Sequence, residues 1–204
     1  MTRPRQVTIL LFDGVEVLDF AGPFEVFAVT GEINSTRPFE VATVSERGGL
    51  ITARNGLRVE SHHAIADAPR TDLLVIPGGQ GTRALLTHEP VIGYLRKAAP
   101  QAEIVLSVCT GALLLGKAGL LDGLHATTHH LALDLLRAAA PRATVRENDR
   151  VVDNGRIVTA AGISAGIDAS LHCVSRLLGR PVAAKTAAHM ECRWREEVFI
   201  AERP

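Results

Sequence analysis

Residues 107–115 read SVCTGALLL, and residues 103–108, EIVLSV, lead into them. The leading run is nearly continuous in apolar residues, as a parallel strand buried on both faces reads. Cys109 ends it, and Thr-Gly followed by small and aliphatic residues opens a helical pattern. A strand that ends in a nucleophile and turns directly into a helix is a nucleophile elbow. The turn lifts the side chain out of the sheet, and a helix start favours the thiolate. The same residues also fit a small buried hydrophobe at a strand end, the commonest role of a free cysteine.

Three further runs look like buried parallel strands: QVTILLF (6–12), FEVATVS (39–45) and LLVIP (73–77). Helical patterns lie between and after them. Phe20, Phe24, Phe27 and Ala28 follow i, i+4, i+7, i+8, with Pro23 expected near the helix start, where its missing N–H costs nothing. Ile167, Leu171, Val174 and Leu178 form a second stripe, ended by Gly179 and Pro181. ITARNGLRVE (51–60) and RVVDNGRIVTA (150–160) carry Asn-Gly between β-type runs and read as antiparallel hairpin inserts. The expectation is an α/β fold of one domain, 1–204: a helix-flanked, mostly parallel sheet with β-hairpin inserts and a nucleophile elbow. Such sheets work at the carboxyl ends of their strands. That rule singles out Asp13–Asp19, Pro77–Gly81 and Cys109–Gly111.

Composition narrows the function classes. Lys+Arg and Asp+Glu both number 22, so the net charge offers nucleic acid and anionic membranes nothing. Arg193 and Arg195 alternate with Glu191, Glu196 and Glu197, a solvated mixed-charge surface. No apolar run approaches the roughly 20 residues of a membrane span. Two arginines before VTILLF resemble a signal peptide, but Asp13 cuts the apolar part short and no cleavage site follows. Three unpaired cysteines, Cys109, Cys173 and Cys192, fit reduced thiols and a cytoplasmic location. HMEC (189–192) has the spacing of two metal ligands, but no second pair supports a closed site, so neither metal nor cofactor is expected.

The other two strand ends carry chemistry of their own. VIPGGQGT (75–82) places Gly78 and Gly79 after a strand, where the backbone can turn sharply and aim amides into a cleft. The Gly79 and Thr110 N–H groups are expected to converge on one developing anion, with Gly111 allowing close packing behind them. A plain tight turn is the alternative. VLDFAGPFEVF (17–27) places Asp19 at a helix start, where an N-cap is the usual role of aspartate. Beside a nucleophile it becomes a candidate acid/base.

LDFAGPFEVF, DLLVIPGG, SVCTGALLLGKAGLLDG, ATTHH and GISAGIDASLH together resemble the ThiJ/PfpI superfamily, and within it the isonitrile hydratase branch. The match runs in order from about residue 6 to about residue 180. The resemblance implies the class I glutamine amidotransferase-like fold, a flavodoxin-like three-layer sandwich. It implies Cys109 as nucleophile, Asp19 beside the thiol, and the Gly79 and Thr110 amides at an oxyanion site. His129 falls where the family often has a histidine, here in a supporting role, and a homodimer is implied. Thr110 follows the cysteine where peptidase- and chaperone-like branches have histidine.

The implied reaction is isonitrile hydration: a lyase adds Cys109 thiolate to the terminal carbon, protonated Asp19 supplies the proton, and water releases an N-substituted formamide. Three other readings share the site: a redox sensor through Cys109 oxidation, a 2-oxoaldehyde hydratase or glyoxalase-type enzyme, and a ligand-sensing relative of transcription regulators. The partner is in each enzymatic case a small-molecule substrate. The sequence offers no basic module for DNA. GISAGID (162–168) is glycine-rich and expected to pack closely against the Cys109 elbow or a second subunit, and Trp194 and Phe199 are candidate anchors for a polar tail.

Overall fold

The four apolar runs read as buried strands lie side by side in one sheet. The computed structural model describes residues 3–201, so the first two and last three residues of the expected 1–204 domain lie outside the described residues. Along the chain come β1 (Arg5–Leu10), α1 (Val17–Ile33), β2 (Phe39–Ser45), β3 (Gly49–Thr52), β4 (Arg58–Ser61), β5 (His63–Ala64), β6 (Leu73–Ile76), α2 (Thr82–Leu85) and α3 (Glu89–Ala98). The second half adds β7 (Ile104–Val108), α4 (Gly111–Lys117), β8 (His125–Ala126), α5 (Leu133–Ala139), β9 (Thr144–Val145), β10 (Val151–Asp153), β11 (Ile157–Ala160), α6 (Ala165–Leu178), α7 (Arg180–His189) and β12 (Phe199–Ile200).

The main sheet has eight strands in the order β12-β10-β11-β7-β6-β1-β2-β5. Every neighbouring pair is parallel except β10–β11. The registers put apolar side chains beside one another, as at Val7 between Val41 and Leu73, and Leu106 between Val75 and Val158. All residues of β6 and β7 are buried, which requires helices on both faces. One helix layer holds α1, α6 and α7 in mutual contact, and the other packs α4 against α2, α3 and α5. The result is the expected α/β three-layer sandwich. Phe27, Leu106 and Leu113 are fully buried, and each such side chain stabilises the fold by about 1.5–3 kcal/mol.

Three expectations need correction. Pro23 lies inside α1, well past its start at Val17, and there it lacks the N–H that would bond the Asp19 carbonyl one turn back. The 51–60 hairpin forms, but its loop runs over Ala53–Leu57 with Asn55 left-handed at φ 62°, and β3–β4 stands apart from the main sheet. The 150–160 hairpin is no insert: β11 pairs in parallel with β7 and continues the sheet.

The stretch after Gly179 is also more ordered than a polar tail. Gly179, at φ 91°, ends α6, and Pro181 lies in the first turn of α7, where its ring suits the helix. Phe199 and Ile200 add β12 to the sheet edge beside β10, and Trp194 packs partly buried against the core.

The topology fixes where a site can form. The chain passes from β1 to β2 on one side, then returns through β6 to the other side of β1. The carboxyl ends of β1 and β6 therefore flank a topological switch point, where open α/β sheets bind ligands.

Candidate active site

Cys109 follows the last residue of β7 and holds φ at 55°, a left-handed conformation that is strained for a residue with a Cβ. The surroundings impose it. The Cys109 amide donates to the Ala160 and Ala161 carbonyls at 3.1 and 2.9 Å, and its carbonyl accepts the Thr128 hydroxyl at 2.7 Å. Strain fixed by hydrogen bonds on both sides is what the elbow geometry requires. The side chain is 6% exposed and forms part of the wall of a cavity of about 230 Å³.

Asp19 lies in the first turn of α1, fully buried beside the Cys109 thiol. It is no N-cap: Glu16 holds the capping position, and the Asp19 side chain turns to the sheet instead. Its Oδ2 accepts the Gly78 N–H at 3.0 Å, while Oδ1 has no hydrogen-bond partner among the described residues. Burial pushes the Asp19 carboxyl up to about 7, against the downward pull of the Gly78 amide and the thiol; Glu16 adds to the rise.

The surroundings of the thiol work against the thiolate that a helix start favours. Burial and then the Asp19 charge push Cys109 up to about 12, and the Thr110 and Ile163 amides aimed at the sulfur offset only part of that. Thiol and carboxyl oppose each other's ionisation, so the pair holds on to one proton more readily than either group would alone. One proton can pass between them without changing the charge of the pair.

The glycine pair after β6 serves close approach. A Cβ on Gly78 would collide with the Thr110 amide nitrogen and come within 2.9 Å of Asp19 Oδ2. Gly79 has φ 130°, and a Cβ there would collide with the Glu16 amide and the Gly14 carbonyl. The expected convergence of the Gly79 and Thr110 amides does not occur. The Gly79 N–H donates to Thr110 Oγ1 at 2.9 Å, whereas the Thr110 amide points at the Cys109 sulfur. The Thr110 hydroxyl reaches the Gly79 carbonyl at 3.1 Å, and Thr82 Oγ1 reaches Thr110 Oγ1 at 3.2 Å. Thr110 therefore locks the β6 turn to the β7 turn. Gly111 opens α4, buried against the end of β6.

His129 lines the same cavity. Its Nδ1 accepts the Leu131 N–H at 3.2 Å, which puts the proton of the neutral ring on Nε2 and leaves no basic nitrogen free. Burial lowers its proton affinity, and the neighbouring His130 and Arg83 lower it further. The Nε2–H of His129 is the ring's remaining donor.

Several wall residues were not singled out in the sequence. Ile163, with φ 54°, directs its amide at both Cys109 and Asp19 from the glycine-rich stretch, which packs against the elbow as expected: Gly166 faces Val108 and Gly162 faces His129. Glu16 and Arg54 pair at 2.7 Å on one side of the cavity, and Arg83 stands in its wall. Asp19 is not among the residues that line the cavity; it reaches the site through its contact with the Cys109 thiol.

Comparison with known proteins places the chain in a family. The chain is 36% identical over 186 residues to an isonitrile hydratase from Pseudomonas putida, across 91% of this chain and 78% of the relative. It is 28% identical over 200 residues to the HTH-type transcriptional regulator GbdR from Pseudomonas aeruginosa, across 98% of this chain but only 52% of the regulator. This chain thus spans about half of that relative's length. A solved ThiJ/PfpI family protein from Pseudomonas syringae superposes with a TM-score of 0.84 at 28% identity, across 93% of this chain and 76% of the other. The DJ-1/PfpI family profile matches residues 5–176, and the chain belongs to the DJ-1/PfpI family.

Proposed function

We propose that the protein is an isonitrile hydratase-like lyase in which Cys109 is the nucleophile and Asp19 carries the proton. The observation that supports this most is the pairing itself. A fully buried carboxyl pushed up to about 7 lies against Cys109, the one thiol lining the cavity among the described residues. Similarity to the Pseudomonas putida enzyme supports the same reading.

The chemistry follows from the pair. Ionised Asp19 takes the Cys109 proton as Sγ attacks the terminal carbon of R–N≡C, forming the C–S bond. The protonated carboxyl returns that proton to the same carbon, giving the thioimidate R–N=CH–S. Asp19 then removes a proton from water as its oxygen adds to the carbon. The nitrogen gains a proton, the C–S bond breaks with the thiol restored, and R–NH–CHO leaves. Water is consumed, no electrons are exchanged, and the proton count closes. The Thr110 and Ile163 amides favour negative charge on sulfur during attack.

Burial and the Asp19 charge both oppose the thiolate through which oxidation proceeds, which favours the hydratase reading over a redox sensor. A ligand-sensing role shares the cavity and is supported by the likeness to the regulator, but sensing needs no acid/base pair at the thiol. Among the described residues no helix is long and apolar enough to cross a membrane. A homodimer is part of the proposal and is read by sedimentation. The test is formamide production from cyclohexyl isonitrile and from isocyanoacetate by wild type and Cys109→Ala. Wild-type turnover that disappears in the variant supports the reading. No wild-type turnover of either isonitrile overturns it.

A further inference from the structure

The cavity beside Cys109 carries an unbalanced cation. Arg54 is neutralised by Glu16 at 2.7 Å, whereas Arg83 has no carboxylate partner among the described residues. Its Nη1 donates to the Gly79 carbonyl at 3.0 Å and to Thr82 Oγ1 at 3.1 Å. Those bonds fix the guanidinium against the turn that follows β6, the turn that also holds Asp19. Its Nε and Nη2 donors have no protein acceptor among the described residues. Holding the turn accounts for Nη1 alone.

A guanidinium immobilised at one end and free at the other presents a planar fork, the geometry that matches a carboxylate. The positive field is felt inside the cavity, where Arg83 helps keep His129 neutral. At about 230 Å³ the cavity lies below the range of drug-sized ligands, so an anionic group held by Arg83 and a carbon attacked by Cys109 must belong to one small molecule.

We propose that the cavity takes a short electrophile bearing a carboxylate, with Arg83 holding the carboxylate and Cys109 Sγ meeting the electrophilic carbon. The proposal rests on Cys109 being the nucleophile and narrows the substrate class to carboxylate-bearing isonitriles. In that class the charged end pre-orients the reacting end, which an uncharged alkyl isonitrile cannot achieve.

Binding of the product measures this separately from turnover. N-formylglycine and the neutral N-propylformamide are titrated calorimetrically into wild type, Arg83→Gln and Arg83→Lys at low salt. The expected result is at least about tenfold tighter binding of N-formylglycine to wild type, as one charge-assisted contact supplies. Arg83→Gln should remove the preference and Arg83→Lys keep part of it. Equal binding of the two formamides by wild type, or a preference that survives in Arg83→Gln, overturns the proposal. Turnover of isocyanoacetate and of cyclohexyl isonitrile, measured side by side, separates the two failures. No turnover of either, with intact, Arg83-dependent N-formylglycine binding, removes the hydratase reading and leaves the anion site. Turnover without the preference removes the anion site and leaves the hydratase.

Discussion

The Gly78 amide donates to Asp19 Oδ2 at 3.0 Å, tying the end of β6 to the first turn of α1 across the switch point of the sheet. The contact exists because residue 78 has no side chain: a Cβ would come within 2.9 Å of that same oxygen and 2.7 Å of Thr110 Oγ1. Both neighbours are held, so neither can step aside cheaply. Gly78→Ala should lose about 1–3 kcal/mol in urea unfolding, the usual cost of overpacking, and most of its turnover. Unchanged stability would mean that the turn relaxes freely.

Asp19 ties activity and stability to pH in opposite directions. Its ionised form takes the thiol proton, so kcat/KM should rise with pH through about 7 and then level. Stability runs the other way. A carboxyl raised from 3.8 to about 7 keeps its proton longer in the folded chain, so folding stability is full below about 4 and falls as pH rises to about 7. The difference corresponds to on the order of 4 kcal/mol. Asp19→Asn should abolish this fall, unfold at a higher midpoint than wild type at pH 8, and lose about 10²–10⁴ in turnover. It should also make Cys109 easier to alkylate, because the carboxylate that opposes the thiolate is gone.

Thr110 Oγ1 is the acceptor of the Gly79 N–H. Thr110→Val keeps the shape and removes the acceptor, leaving a buried amide unbonded at a cost of about 1–3 kcal/mol. Thermal or urea unfolding reads this directly. The sulfur still receives the Thr110 backbone amide, so the midpoint of the pH–rate profile should stay near 7.

His129→Gln distinguishes a donor from a base. With Nδ1 occupied by the Leu131 amide, the ring contributes only a hydrogen bond, and the loss in kcat should stay below about tenfold with the pH midpoint unmoved. A loss of a hundredfold or more, with the midpoint displaced, would assign proton transfer to His129.

The strands and the elbow were legible because burial on both faces leaves near-continuous apolar runs, and Cys109 at the end of one is hard to miss. Asp19 was found by its place at a strand end, although its nearest structural precedent, the N-cap, proved to be Glu16. Pro23 misled the estimate of where α1 starts, because tertiary burial of the helix tolerates an interior proline that local preference does not. Other parts of the site were not legible: Ile163 contributes a backbone amide, which any residue type carries, and Arg83 and Arg54 look like ordinary surface charges until the fold brings them to the cavity. The tertiary pull on the thiol's proton was not legible for the same reason. A helix start raises the thiolate population locally, but burial and the carboxyl, both tertiary, outweigh it.

The measurement closest to the central claim is a double-mutant cycle on cyclohexyl isonitrile turnover with Cys109→Ala, Asp19→Asn and the double variant. If thiol and carboxyl act as one proton-sharing unit, each single variant falls close to the floor, and the double variant falls no further. Two losses that multiply in the double variant, or formamide still produced by Cys109→Ala, would contradict the account.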